Sequence, residues 1–323
     1  MDYFFSHART ALKYGLRALN MKAGDEILVP ACICDVVTHP LDESGIKPIF
    51  YPVSQELKPV WERLPGLLNG KTKGILAVHY FGQPQDMARF REFCKLHGIL
   101  LIEDNAHGFG GSLQGKPLGT FGDIGISSPR KILGWRNGGI LHFNRDEVFP
   151  ELPFQPGKLR WKMKSLAKKI LCANGFFCNH FRKMPDFHSQ DTGREEPIPS
   201  WKMDEGYGRV LRNLDVLRLR EKRRQVWGVW KQWAEANGLN PVYPGLSEGA
   251  CPLAFPVRTD SARESRKWFE WGWKHGLYVH SWPALPDQVV ESDKETLRLW
   301  ETLVCFPIMP EMDADLLSKR LGI

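Results

Sequence analysis

Hydrophobic residues along the 323-residue chain follow two alternating patterns. Leu12, Leu16 and Leu19 recur at helical spacing over 9–22, and Met87, Phe90, Phe93 and Cys94 do so between Asp86 and His97. Around these stretches lie short runs that are apolar throughout: Ile27-Leu28-Val29-Pro30, Ile49-Phe50-Tyr51, residues 74–79 and residues 99–102. A run without polar alternation fits a strand covered on both faces. Strands of this kind alternating with helices imply an α/β fold on a mainly parallel sheet. Ligands of such sheets lie beyond the carboxyl ends of the strands, where His79 and Asp104 stand.

The pattern then changes. Residues 150–200 carry no strand signal, but Leu159, Met163, Leu166 and Ile170 form a helical stripe with lysines 162, 164, 168 and 169 around it. Residues 205–236 read as one long charged helix, with Leu211, Leu214 and Leu217 and later Val226, Trp230 and Trp233. Beyond it, strand-like segments near 253–257 and 304–308 and helices over 262–275 and 313–321 suggest a small α/β domain. The expected division is a large domain over 1–204, with a basic insertion near 150–200, and a connecting helix plus small domain over 205–323.

Charge sharpens this division. The net charge is +7, yet residues 158–224 hold 17 Lys and Arg against 8 Asp and Glu, which leaves the remainder slightly acidic. A basic band suits an anionic partner or a plain solvated face. No nucleic-acid motif accompanies it, so nucleic acid is not expected. Weak contact of the 159–183 stripe with an anionic membrane surface stays open beside packing on the large domain. The seven cysteines are odd in number and scattered, which fits reduced thiols in a cytoplasm. No cysteine spacing suits zinc, so no metal is expected. No apolar run reaches membrane length, and the start carries no secretory pattern.

The candidate chemistry lies where the strand at 99–102 ends in Glu103-Asp104-Asn105-Ala106-His107, followed by Ser128-Pro129-Arg130-Lys131 and Asn137-Gly138-Gly139. Most lysines are solvated surface groups. One that loses its charge beside an acid, an imidazole and a hydroxyl attacks carbonyls.

Asp104-x-Ala106-His107, Phe121-Gly122-Asp123, Ser128-x-Arg130-Lys131-x-Leu133 and Asn137-Gly138-Gly139 resemble the DegT/DnrJ/EryC1/StrS family of fold-type I sugar aminotransferases. Ala8-Arg9-Thr10-Ala11-Leu12, Gly24–Pro30, His79–Pro84 with Asp86-Met87, and Leu303–Pro310 are similar to further motifs of that family. The resemblance implies a fold-type I aminotransferase-like architecture and pyridoxal 5'-phosphate as cofactor. It implies Lys131 as the Schiff-base lysine, Asp104 as the partner of the ring nitrogen and His107 near the phenolic oxygen. Ala8, Arg9, Thr10 and Ser128 would cup the phosphate, with Ala8 where relatives often have Gly. Cys34 stands near the position where many relatives stack an aromatic ring. Ser200-Trp201-Lys202-Met203 occupies the place of a segment that reaches the partner subunit, and the chain starts almost at the phosphate motif. The resemblance further implies a homodimer, a keto-sugar nucleotide as substrate and glutamate as amino donor, in amino-sugar biosynthesis for the cell envelope or for secondary metabolites. The alternative expectation is a degenerate relative that binds cofactor as a scaffold or regulator.

Overall fold

The computed structural model describes residues 1–146, 149, 184–188, 198 and 201–323. The stripe at 159–183 and Ser200 lie outside the described residues.

Seven strands form the larger sheet: β1 (Asp2–Phe5), β2 (Glu26–Pro30), β3 (Lys47–Tyr51), β4 (Thr72–Val78), β5 (Leu100–Asn105), β8 (Ile124–Ser127) and β9 (Gly139–Phe143). A two-stranded ribbon, β6 (Ser112–Leu113) with β7 (Lys116–Pro117), interrupts their succession. The order across the large sheet is β1-β9-β8-β5-β4-β2-β3. Pairing is parallel from β3 through β8, and β9 runs antiparallel to both of its neighbours. The apolar runs became strands because both faces are covered: every residue of β2, and β5 from Leu101 on, is buried. β1, β8 and β9 escaped the sequence pattern, being four or five residues long and interrupted by polar or glycine positions.

Helix α1 (Ala8–Ala18) buries Leu12 and Leu16 as expected but ends short of residue 22, where Asn20 takes a left-handed φ of 55°. Helix α2 (His39–Glu43) is short. Helix α3 (Met87–His97) starts at Asp86, which lies outside the helix as its cap and accepts from the Arg89 N–H at 3.0 Å. Its four expected apolar positions are all buried. Helix α4 (Pro129–Leu133) carries Lys131.

The long helical pattern proves to be two helices, α5 (Glu205–Arg212) and α6 (Val216–Ala236). Asp204 and Asp215 each cap a helix start, which splits the run. The leucine stripe at 211, 214 and 217 is not core, and Leu217 is 71% exposed. The tryptophans further along α6 are core: Trp227, Trp230 and Trp233 pack with Phe255 and Phe306.

A second, antiparallel sheet orders β10 (Asn240–Pro241), β11 (Ala254–Arg258), β13 (Leu303–Pro307) and β12 (His280–Ser281). Helices α7 (Ala262–Lys274), α8 (Asp287–Ser292), α9 (Lys294–Glu301) and α10 (Ala314–Leu321) accompany it. Its faces differ. Val304 and Phe306 belong to the tryptophan core, whereas Leu303 and Cys305 join Tyr80, Phe81 and Trp282 in the core of the large sheet. The seam between the sheets is therefore apolar. At Gly82, φ is +84° and an added Cβ would meet the Cys251 carbonyl oxygen at 2.1 Å, so only glycine lets the turn after β4 approach so closely.

One buried cation ties these parts together. Arg223 of α6 is 2% exposed and has no ion-pair partner among the described residues. Its Nε donates to Pro252 O (2.7 Å), Nη1 to Ile132 O (3.1 Å), and Nη2 to Leu253 O (3.0 Å) and Ile308 O (2.7 Å). Burial lowers its pKa to about 10, with Cys251 opposing.

Candidate active site

Parallel pairing brings the carboxyl ends of β2, β4, β5 and β8 to one edge of the sheet. The chain leaving each end supplies part of a cleft: Cys34 after β2, the His79–Gly82 turn after β4, Asp104 and His107 from β5, and Ser128 and Lys131 after β8.

The Lys131 side chain is open to solvent although protein surrounds it deeply, so it lines a cleft rather than the outer surface. Burial lowers its pKa. Cys34 and Asp104 pull upward, Arg130 pushes further down, and the net shift is downward, toward a neutral nucleophile. Asp104 is buried at the end of β5. Burial raises its pKa, against the Ala106 N–H bound to Oδ1 at 2.8 Å and the Coulomb influence of nearby Lys131 and His79. Cys34 is half-buried, its thiol pushed up by burial and coupled to both Lys131 and Asp104. At His107, Nδ1 accepts from the Phe81 N–H at 3.4 Å, and the ring stands edge-on to Trp282 at 5.5 Å. Burial, then Lys131 and His280, hold this imidazole well below its usual pKa and hence neutral.

Beneath this row lies a buried pair. His79 Nδ1 accepts from the Gln85 N–H at 3.0 Å, which leaves Nε2 to donate to Glu103 Oε1 at 2.8 Å. Glu103 further accepts from the N–H groups of Gly119, Phe121 and Gly122. Burial pushes its pKa up, but these donors outweigh burial and bring it below the ordinary value. A fixed charge is thus set one residue before Asp104.

The other end of the cleft is a cup. His7, at the start of α1, gives no side-chain cap, and the first turn of α1 holds no acid. Burial, then Arg130 and Arg9, drive the His7 pKa down to about 3, so both guanidiniums act on the helix start. Arg9 and Ala8 are half-buried and Thr10 fully buried. Ser128 Oγ is buried with no hydrogen-bond partner among the described residues. A Cβ on Gly139 would fall 2.2 Å from His7 C, so glycine is required where β9 meets α1. Two guanidiniums, an uncapped helix start and an orphaned hydroxyl suit a phosphate group. The Lys131 N–H donates to Ser128 O at 3.0 Å, which joins cup and cleft.

Residues 5–152 match the model of the DegT/DnrJ/EryC1/StrS aminotransferase family. Over that stretch, a little under half of its length, the chain is similar to this family. Among curated relatives, the chain is 34% identical over 146 residues to a GDP-perosamine synthase of Vibrio cholerae, covering 44% of this chain and 40% of that protein. It is 30% identical over 161 residues to the dTDP-4-dehydro-2,3,6-trideoxy-D-glucose 4-aminotransferase of Saccharopolyspora spinosa, covering 49% and 41%. The match thus spans about two fifths of these relatives' length. The fold likeness is longer. Helicobacter pylori PseC, an aminotransferase involved in pseudoaminic acid biosynthesis, superposes with a TM-score of 0.73 at 18% identity, covering 100% of this chain and 85% of that one. The sequence likeness to the DegT family thus lies in the N-terminal half, and the fold likeness extends over the whole chain.

Of the residues expected from sequence, Lys131, Asp104, Cys34 and His107 share the cleft, and Ala8, Arg9, Thr10 and Ser128 the cup. Trp201 and Lys202, expected near a partner subunit, lie along β1: Ser6 N–H donates to Trp201 O at 2.9 Å and Lys202 bridges Phe5. Sequence reasoning missed His7, the pairing of His79 with Glu103, and the ring of Trp282 against His107. His7 had one usable signal, its place directly before the phosphate motif. The others come from elements far apart in the chain and carry no local signal.

Proposed function

We propose that this protein is a pyridoxal 5'-phosphate-dependent aminotransferase that takes a keto-sugar nucleotide to an amino sugar, with glutamate as donor. The observation that carries this is a lysine of lowered pKa opposite a buried acid, beside a cup whose buried hydroxyl lacks a partner. The relatives' names supply the substrate class.

The residues fit the cofactor. Lys131 would hold its carbonyl carbon, and Asp104 its ring nitrogen: an acid raised by burial gains from a cationic donor placed against it. Arg9, Ser128 and the start of α1 would hold the phosphate, and His107 would face the ring as a neutral group. When bound, pyridoxal phosphate supplies an electron sink for charge at the amine-bearing carbon. The free amine of Lys131 moves the proton at that carbon, and its lowered pKa suits it to act as a base. The apolar seam of Trp282, Phe81 and Tyr80 backs this side of the cleft. We place the enzyme in the cytoplasm as a homodimer, the commonest closed assembly. Among the described residues no helix is long and apolar enough to cross a membrane.

The test is to load the purified protein with pyridoxal phosphate and add glutamate with keto-sugars carried on UDP, dTDP and GDP. The expected result is a visible absorbance band that borohydride bleaches, and an amino-sugar nucleotide detected by mass spectrometry. A band without product over the whole panel would point to a cofactor-binding scaffold. Absence of both would refute the reading. Sedimentation of the loaded protein checks the dimer, and a monomer at full cofactor occupancy would overturn it.

A further inference from the structure

His280 is absent from every motif noted above, yet its position is distinctive. β12 pairs antiparallel with β13, with His280 opposite Cys305 and Ser281 opposite Val304. Directly opposed residues share a face of the sheet. Cys305 faces the core of the large sheet and Val304 the tryptophan core. His280 therefore points toward the large sheet. Trp282, two residues on and on the same side, confirms the direction, with its ring 5.5 Å from His107 and 5.2 Å from Phe81. The His280 side chain is open to solvent while lying deep among protein atoms, as is Lys131. Both therefore line the same kind of enclosed, wet space.

The ring is also held. It is hydrogen-bonded to the backbone of Tyr278, a residue at a left-handed φ of 48°. A tyrosine in that region is strained, and such strain persists where the surroundings over-determine it. One ring nitrogen is thereby committed to the backbone, and the other is left to face the cleft.

From this geometry we infer that His280 is a substrate-contacting residue, reaching from the small sheet to accept a hydrogen bond from a hydroxyl on the sugar ring of the keto-sugar nucleotide. Burial lowers the His280 pKa, and His107 nearby is neutral too. This wall offers hydrogen bonding without charge, which suits an uncharged polyol ring better than a carboxylate or a phosphate. The inference rests on the proposed function for the substrate's class, but not for the position of the residue.

Two measurements test it. In the first, the cofactor-loaded protein is treated with diethyl pyrocarbonate, and modification of His280 is followed by mass spectrometry with and without UDP-glucose, dTDP-glucose or GDP-glucose. At least one of these should protect His280 several-fold; equal labelling under all conditions overturns the inference. In the second, His280→Phe and His280→Gln are compared with the parent for cofactor absorbance and for KM. Both variants should keep the absorbance band. His280→Phe should raise KM for the sugar nucleotide about tenfold, the worth of one hydrogen bond, with a smaller effect on kcat, and His280→Gln should recover much of it. Loss of the absorbance band with the KM change would place His280 in the cofactor site and overturn the inference. Protection without any turnover would refute the proposed enzyme and keep the contact. Turnover without protection or a KM effect would do the reverse.

Discussion

The two sheets use their faces differently. The parallel sheet is covered on both sides, and its functional groups sit at strand ends, where the backbone leaves the sheet and side chains converge on one edge. The antiparallel sheet has one face under its own tryptophan-rich helices and turns the other toward the first sheet. On this comparison, the first sheet supplies fixed chemistry and the second supplies a wall. Asp104 is set by β5 itself and by the Glu103–His79 pair beneath it. The wall reaches the lysine helix through Arg223, which binds Ile132 O as well as carbonyls of both segments flanking the small sheet.

If the parallel sheet holds the chemistry, Lys131→Ala should remove the borohydride-sensitive band and abolish transamination while leaving the circular dichroism spectrum intact. A yellow, active variant would break the comparison at its base. Asp104→Asn should preserve the fold and lower turnover by about two orders of magnitude or more, the scale seen when a positioned electrostatic group is removed. Near-full activity would remove Asp104 from the proposed role.

The tie between the sheets should show in stability rather than in spectra. Arg223→Ala leaves four buried carbonyls without their donor, and urea unfolding should show a loss of about 3 kcal/mol or more. A loss below about 1 kcal/mol would mean that water replaces the guanidinium.

Acid should act on the cleft before the remote faces. His7, His107 and His280 all have folded pKa values below the ordinary histidine value. Below about pH 6.5 the unfolded chain binds protons that the folded chain refuses, so stability is full above that pH and falls as pH drops. For His7 the window runs down to about 3. Asp104, raised by burial, works in the opposite sense in the carboxylate range. Thermal melts of the cofactor-free protein should therefore hold level above about pH 6.5 and fall from there to about pH 5. A flat profile would show that these imidazoles are not held neutral in the folded chain. The smallest effect is expected on the outer face of α6. Leu217→Asp should change monomer stability by no more than about 0.5 kcal/mol, and a larger loss by urea unfolding would mean that the leucine stripe is covered after all.

The legibility of the sequence followed the same division. β2, β3, β4, β5 and α3 were readable because a fully covered strand needs an unbroken apolar run and a half-covered helix a 3.6-residue stripe. Both are local demands. The leucines at 211, 214 and 217 met the stripe pattern but not the burial, since periodicity records which residues could share a face and not whether anything packs there. The split between α5 and α6 was written in Asp204 and Asp215, whose capping role becomes visible only once the helices are seen to stop. The two-residue strands β10 and β12 and the six-residue helix α8 had too few residues to establish a period.

The sequence by itself determined the class of fold and the cast of chemical groups. A lysine, an acid, an imidazole and a hydroxyl stand at motif spacing, and spacing along one strand and its following loop is a property of the chain. Only the tertiary structure decided that burial makes Lys131 a weaker base and His107 a neutral one, that Glu103 keeps its charge, that the Arg223 cation is held by four backbone carbonyls, and that His280 faces the lysine cleft. Desolvation and Coulomb interaction depend on distance through space, and residues 150 apart in the chain become neighbours only when the second sheet closes on the first.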